Sequence, residues 1–200
     1  MKIIRRSEFR AMPWKNGGGT TYEIMVEPEG ASLDAFDWRI SIAHVEAPGP
    51  FSRFPGIDRS IAVLTGGGMT LLSAVGAPVS LDAGSPPWTF PGEAAIDCQL
   101  SGGATQDFNL MSRRQRIRHN LARLRIVTPS QLARSAPVTG ICLASGSGLE
   151  VKPATGSRAE LGLHDFALLD REDGERFSVN SNGETSILVV ELISQSSTAT

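Results

Sequence analysis

Short runs of β-favouring residues, each cut off by glycine or proline before it reaches helical length, constrain this chain more than any other feature. The 200 residues include 21 glycines and 12 prolines spread from end to end. A stable helix needs an uninterrupted periodic stretch of roughly 10–12 residues, whereas strands survive in pieces of about 4–8. The runs read as strands are residues 2–5, 20–26, 38–45, 60–64, 69–73, 79–81, 89–90, 94–100, 107–111, 116–127, 139–144, 149–152, 166–169, 176–179 and 186–193. A single helical turn is expected over 129–134, behind a capping Thr128. The Asp173-Gly174 pair within 171–175 signals a β-hairpin. So many strands fit two jelly-roll-like lobes better than one barrel. The expected division is an N-terminal lobe over 1–112 and a C-terminal lobe over 113–194, with 195–200 as a frayed tail. A faint repeat of about eighty residues, Leu81-Asp82-Ala83-Gly84 against 161–165, runs in the same direction.

Composition excludes several function classes. An apolar fraction of 40% supports a proper core, and a net charge of −2 gives no global attraction to nucleic acid or anionic lipid. No apolar run approaches the roughly 18 residues of a membrane span, and the N-terminal segment MKIIRRSEFR lacks the apolar stretch of a secretory signal. The cytoplasm is therefore the expected location, with no membrane partner. Cys98 and Cys142 lie in apolar, strand-like surroundings and read as small buried hydrophobes rather than a disulfide.

Residues 13–24, PWKNGGGTTYEI, compress an aromatic ring, a cation, an amide and three glycines ahead of a strand. Glycines let the backbone approach a ligand or another strand closely. Trp14, Lys15, Asn16 and Gly17 would then offer an apolar wall, a charge, an amide and backbone N–H. A sharp turn with Trp14 in the core is the structural alternative. A phosphate-binding P-loop is excluded, since its lysine follows the glycines and a helix comes next; here Lys15 precedes them and a β-favouring run follows.

Strand alternation carries the geometry further, because residues two apart share a face. Trp38, Ile40 and Ile42 form one face of their run; Arg39, Ser41 and Ala43 form the other. Asp107 and Asn109 lie together opposite Phe108 and Leu110, and Thr21 and Glu23 opposite Tyr22 and Ile24. Turned inward, Arg39, Ser41, Asp107 and Asn109 make one hydrogen-bonded constellation; otherwise Arg39 and Asp107 form a buried pair that serves only the fold. Lys15, Arg39 and Arg59 favour a small anion, guanidinium groups being matched to carboxylates. Phe51 and Phe54 offer an apolar wall or core packing.

Metal and nucleophile chemistry find little support. His44, His119 and His164 are far apart with no His-x-His pair, and His44 falls on the Trp38 face as a packed or rim residue. Neither Ser41 nor Ser52 has an evident His–carboxylate pairing, and neither cysteine sits in a nucleophile motif. No catalytic residue, metal or cofactor is assigned. Residues 108–149 hold seven arginines and no acid, yet beyond Phe108 no aromatic ring to stack a base. A solvated strand face paired with acids elsewhere is expected, not a nucleic-acid site.

Three blocks in order, PWKNGGGTTYEI, FDWRISIAHVEAPGPFSRFPGIDRS (36–60) and PPWTFPGEAAIDCQLSGGATQDFNLMSRR (86–114), resemble the signature segments of the HutD/Ves family. The resemblance covers roughly residues 1–115; no family motif is apparent from Arg116 onward. It implies a two-lobed cupin associated with histidine utilisation, a small-molecule-binding regulator more than an enzyme. The implied ligand is formylglutamate, urocanate or a related carboxylate. On that reading Arg39 and Lys15 hold the carboxylate, while Asn16, Ser41 and Asn109 orient it and Asp107 fixes Arg39. The alternatives are a metal-independent isomerase or epimerase with Glu23 or Asp107 as base, and an interaction protein using its arginine-rich face. Exposed strands of such sandwiches also offer a route to a homodimer.

Overall fold

The computed structural model describes residues 1–74 and 76–195. Its strands are β1 (Lys2–Ile4), β2 (Arg10–Pro13), β3 (Gly19–Glu27), β4 (Trp38–Val45), β5 (Gly49–Pro50), β6 (Ile57–Gly66), β7 (Met69–Ser73), β8 (Val79–Leu81), β9 (Trp88–Pro91), β10 (Ile96–Leu100) and β11 (Thr105–Arg113). Then follow β12 (Ile117–Ile126), β13 (Ser130–Ala133), β14 (Val138–Ser145), β15 (Leu149–Pro153), β16 (Ala159–Leu161), β17 (Phe166–Leu169), β18 (Arg176–Asn180) and β19 (Thr185–Ser194). Helix among the described residues is confined to 3-10 turns at Arg6–Glu8 and Arg171–Asp173. The fold is all-β, as the punctuated runs demand.

The chain divides into two compact units. The first takes Arg10–Arg118 with Gln195; the second takes Met1–Phe9 with His119–Ser194. The first unit has a six-stranded sheet, β2-β3-β4-β11-β6-β9, and a four-stranded sheet, β5-β10-β7-β8. The second has a five-stranded sheet, β1-β17-β14-β19-β12, and a four-stranded sheet, β13-β18-β15-β16. Read in corresponding directions, β4-β11-β6-β9 matches β12-β19-β14-β17, and β5-β10-β7-β8 matches β13-β18-β15-β16. The faint eighty-residue repeat is the trace of this shared strand order.

Each unit buries a core between its sheets. In the first, Ala43, Val45, Ile61 and Val63 of the larger sheet meet Met69, Leu71, Ile96 and Cys98 of the smaller. In the second, Ile141, Leu143, Ile187 and Val189 meet Leu149, Val151, Phe177 and Val179. Alternation decides which residues go in: along β10, Ile96 and Cys98 are buried while Asp97 and Gln99 are exposed.

Four expectations need correction. Residues 1–9 belong with the second unit, because Lys2, Ile3 and Ile4 pair with Leu168, Ala167 and Phe166. Residues 129–134 contain strand β13 and not a helical turn, its Ser130–Ala133 pairing with Val179–Arg176 of β18. A lone helical turn bears the whole nucleation cost for few hydrogen bonds, whereas the ladder satisfies the backbone and lets Leu132 pack on the core. The Asp173-Gly174 pair makes no hairpin, since β17 and β18 lie in different sheets. Asp170 instead caps the 3-10 turn, accepting from Glu172 N at 2.9 Å. Finally, Gln195 of the expected frayed tail is tied down, donating from its backbone to Arg116 O at 2.7 Å. Residues 196–200 of the expected tail lie outside the described residues.

Candidate functional site

In the first unit, antiparallel register converts the alternation of single strands into rows of side chains across the sheet. Met111 stands between Arg39 on β4 and Arg59 on β6, and Arg59 faces Phe90 on β9. In the next row Asn109 lies between Ser41 and Ile61, with Glu23 of β3 beyond Ser41. In the third, Asp107 lies between Ala43 and Val63, with Thr21 beyond Ala43. Directly opposed residues share a face, and Ala43, Ile61, Val63 and Phe90 belong to the core between the sheets. The polar members of these rows therefore point into the unit, not into solvent. Bulges at Glu23/Met25 and Gln106/Asp107 interrupt the ladder beside two of them, as bulges do where a side chain must be re-aimed.

Polar and aromatic groups here enclose a cavity of about 670 Å³, within the range of small-ligand sites. It is lined by Trp14, Lys15, Asn16, Arg39, Ser41, Phe51, Phe54, Arg59, Asp107 and Asn109, which gathers the sequence-derived candidates apart from Gly17. Gly17 is exposed at φ 70° and lies outside the lining, where Gly18 takes its place. The glycine loop closes the β2–β3 hairpin, with Pro13 opposite Thr20. Gly19 is required there: a Cβ would come within 2.3 Å of His44 O and 3.2 Å of the Trp14 ring. Trp14 is fixed by its Nε1–H, which donates to Thr21 Oγ1 at 2.8 Å, and Asn16 Oδ1 accepts from Gly18 N at 3.1 Å. Lys15 stays exposed at the rim.

The buried charges are arranged differently from the sequence expectation. Arg39 is fixed by Glu23 and not by Asp107: its Nε donates to Glu23 Oε2 at 2.7 Å, while Arg10 Nη2 donates to the other oxygen at 2.6 Å. Asp107 instead accepts from Asn109 Nδ2, and Asn109 Oδ1 accepts from Arg59 Nη2 at 2.9 Å. Asn109 is thus a relay between an acid and a guanidinium, and is committed before any ligand arrives. Arg59 also donates to Ser52 O at 3.2 Å and sits 5.1–5.6 Å from the ring centroids of Phe51, Phe54 and Phe90. Phe51 and Phe54 are therefore walls of a cation–π cage as well as of the cavity.

Burial lowers the Arg59 pKa to about 10; Asp107 opposes that shift and Arg39 adds to it. Arg59 thus remains charged at neutral pH. Burial pushes the Asp107 carboxyl up to about 7, against the Arg59 charge and the Asn109 hydrogen bond. Three buried polar atoms of the lining have no hydrogen-bond partner among the described residues: Arg39 Nη2, Arg59 Nε and Asp107 Oδ2. Native structures leave few such atoms unsatisfied, and two of the three are cationic donors.

Other chemistry is poorly served. Cys98 lines the cavity, but burial, with Asp107 behind it, raises its thiol to about 11, and its Sγ rests 3.9 Å from Met69 Sδ. Glu23, held by two guanidinium groups, is not available as a base. His44 lies on the other face of β4, half-buried, 3.3 Å from Glu46 Oε1. Among the described residues no group of three or more His, Cys, Asp or Glu is placed to hold a metal. In the arginine-rich stretch, Arg114 bridges Asp58 and Glu93 at 2.7 and 3.0 Å, Arg116 meets Asp37 at 2.8 Å and Arg125 meets Glu184. Arg134 donates to the carbonyls of Gly174, Ala136 and Pro137. No helix among the described residues is long and apolar enough to cross a membrane.

Sequence reasoning missed Glu23 as the anchor of Arg39, although the Thr21/Glu23 alternation had placed it on a polar face. It also missed Met12, Thr21, Leu33 and Cys98 in the lining. Leu33, 49% exposed in the loop after β3, has no periodic partner that would single it out.

Comparison with known proteins bears on the whole chain. The HutD family model matches residues 6–188. The chain belongs to the HutD family. A Pseudomonas putida relative, an uncharacterized 21.2 kDa protein in the hutC 3' region, is 38% identical over 195 residues, covering 98% of each chain. Protein Ves of Citrobacter koseri is 41% identical over 113 residues, covering 54% of this chain and 58% of its own. The solved structure of HutD from Pseudomonas fluorescens SBW25 has a TM-score of 0.81 at 30% identity, covering 98% of this chain and 99% of that one. Family likeness thus extends through the second unit, beyond the 1–115 region where motifs were legible.

Proposed function

We propose that this HutD-family chain is a non-catalytic receptor for a small carboxylate metabolite of the formylglutamate or urocanate kind, and that it regulates histidine utilisation by sensing or sequestering that metabolite. The observation that carries the reading is Arg39: a guanidinium 5% exposed, held by Glu23 from one side, with Nη2 unpartnered in a cavity. A planar cation pre-oriented by a fixed acid is suited to receive a carboxylate. Lys15 at the rim adds attraction at longer range, and the Phe51, Phe54 and Trp14 rings receive the ligand's apolar part. The repeated strand order supports the two-lobed cupin architecture implied by family resemblance, and the cytoplasm is the proposed location. A homodimer through exposed strands is compatible with this reading.

A second reading, a metal-independent isomerase or epimerase, draws on Asp107, whose carboxyl titrates near neutrality inside the cavity. The experiment is a thermal-shift screen with N-formyl-L-glutamate and urocanate, with and without chelator. Binding to the folded state raises Tm in either condition. No shift with any carboxylate refutes the receptor reading, and product formation lost in Asp107→Asn favours the enzyme.

A further inference from the structure

Resting on the carboxylate reading above, the charge arrangement also narrows the ligand class. A receptor for a bare carboxylate needs only donors, and Arg39 with Arg59 supplies them. Asp107 does not fit that role. In its ionised form an acid inside an anion cavity repels the incoming ligand, unless the ligand brings a donor to meet it. Asp107 is 1% exposed and lines the cavity; its Oδ1 accepts from Asn109, and its buried Oδ2 has no partner among the described residues.

The two unsatisfied groups are separated. Arg39 lies in the Met111 row and Asp107 two rows away on the neighbouring strand, about 14 Å along the strand direction at ~3.4 Å per residue. The Arg39 side chain reaches back toward Glu23 in the intervening row and shortens that gap. We propose that the cavity is a two-point receptor whose ligand carries a carboxylate for Arg39 and, a few bonds away, an N–H or O–H donor for Asp107 Oδ2. N-acyl amino acids and azole carboxylic acids meet that description, whereas simple mono- and dicarboxylates lack the donor. The charged and titratable groups that act on Asp107 or share its cavity are Arg59 on β6, Arg39 on β4 and the Cys98 thiol on β10. Burial works against the Asp107 carboxylate and Arg59 favours it, while the thiol stays protonated.

The test compares isosteres differing only in the donor, by titration calorimetry on the full chain. N-formyl-L-glutamate is set against the O-formyl ester of 2-hydroxyglutarate, and urocanate against 3-(1,3-oxazol-4-yl)acrylate. At least one N–H ligand is expected to bind roughly 10- to 100-fold more tightly than its oxygen counterpart. Asp107→Asn, whose amide can turn a donor toward an acceptor, should shrink that preference. If the variant does not fold, the wild type is titrated near pH 7 in buffers of different ionisation enthalpy. A donor ligand then expels a proton from Asp107, and its counterpart does not. Equal affinities and equal proton exchange within both pairs would overturn the two-point receptor while leaving the carboxylate reading intact. If no member of either pair binds, the carboxylate reading falls and this proposal with it.

Discussion

Replacing Arg39 with methionine keeps most of the side-chain length, removes the guanidinium and separates its two roles. The Arg39–Glu23 pair is buried, its side chains 6% and 9% exposed. Removing one partner of such a pair costs about 3–5 kcal/mol. Here Glu23 keeps Arg10 on its other oxygen at 2.6 Å, though Arg10 is 63% exposed and a weaker compensator. The expected loss is therefore about 2–3 kcal/mol, at or just below the bottom of that range. For a chain of this size it lowers Tm by roughly 4–12 °C. Binding should suffer separately, since losing a charge-assisted hydrogen bond weakens a carboxylate ligand by roughly 10- to 150-fold. Differential scanning calorimetry and titration with N-formyl-L-glutamate read the two effects. Adding Glu23→Gln should recover part of the stability, by removing the stranded charge, and none of the affinity. A folded Arg39→Met protein that binds within twofold of wild type would refute the assignment of Arg39 as the ligand anchor.

Three further outcomes follow from the geometry. Asp107 is raised to about 7 in the folded protein, so its contribution to stability is full below the unfolded carboxylate range near pH 4 and is lost as pH rises through 7. Denaturant titrations from pH 4 to 8 should show this decline in the wild type and a flatter profile in Asp107→Asn. Gly19→Ala should lower Tm by several degrees because its Cβ collides with His44 O, while Gly17→Ala, with open space but φ 70°, should cost only about 1 kcal/mol. Burial raises Cys98 to about 11 and Cys142 to about 12, so both thiols should resist alkylation at pH 8 until the chain unfolds.

Much of this site was legible because strand alternation is a local property. The polar faces Arg39/Ser41, Asp107/Asn109 and Thr21/Glu23 followed from counting by twos, and the structure brings all of them but Glu23, which holds Arg39, into the lining of one cavity. Partnership was not legible. Asp107 was expected to hold Arg39 and Glu23 holds it instead; that outcome depends on register across β3, β4 and β11, including two bulges that no local pattern announces. The same limit explains the fold corrections. The pairing of Lys2–Ile4 with β17 spans more than 160 residues, and residues 129–134 carry helical local signals that long-range pairing with β18 overrides. Leu33 reached the cavity through a loop, where periodicity gives no guidance.

The most direct measurement is a crystal structure of the protein with N-formyl-L-glutamate or urocanate bound. A ligand carboxylate is expected about 3 Å from Arg39 Nη2, inside the cavity between the two sheets of the first unit. Ligand density elsewhere, for example against Arg134, Arg171 and Arg176 of the second unit, with Arg39 left unpartnered, would contradict it.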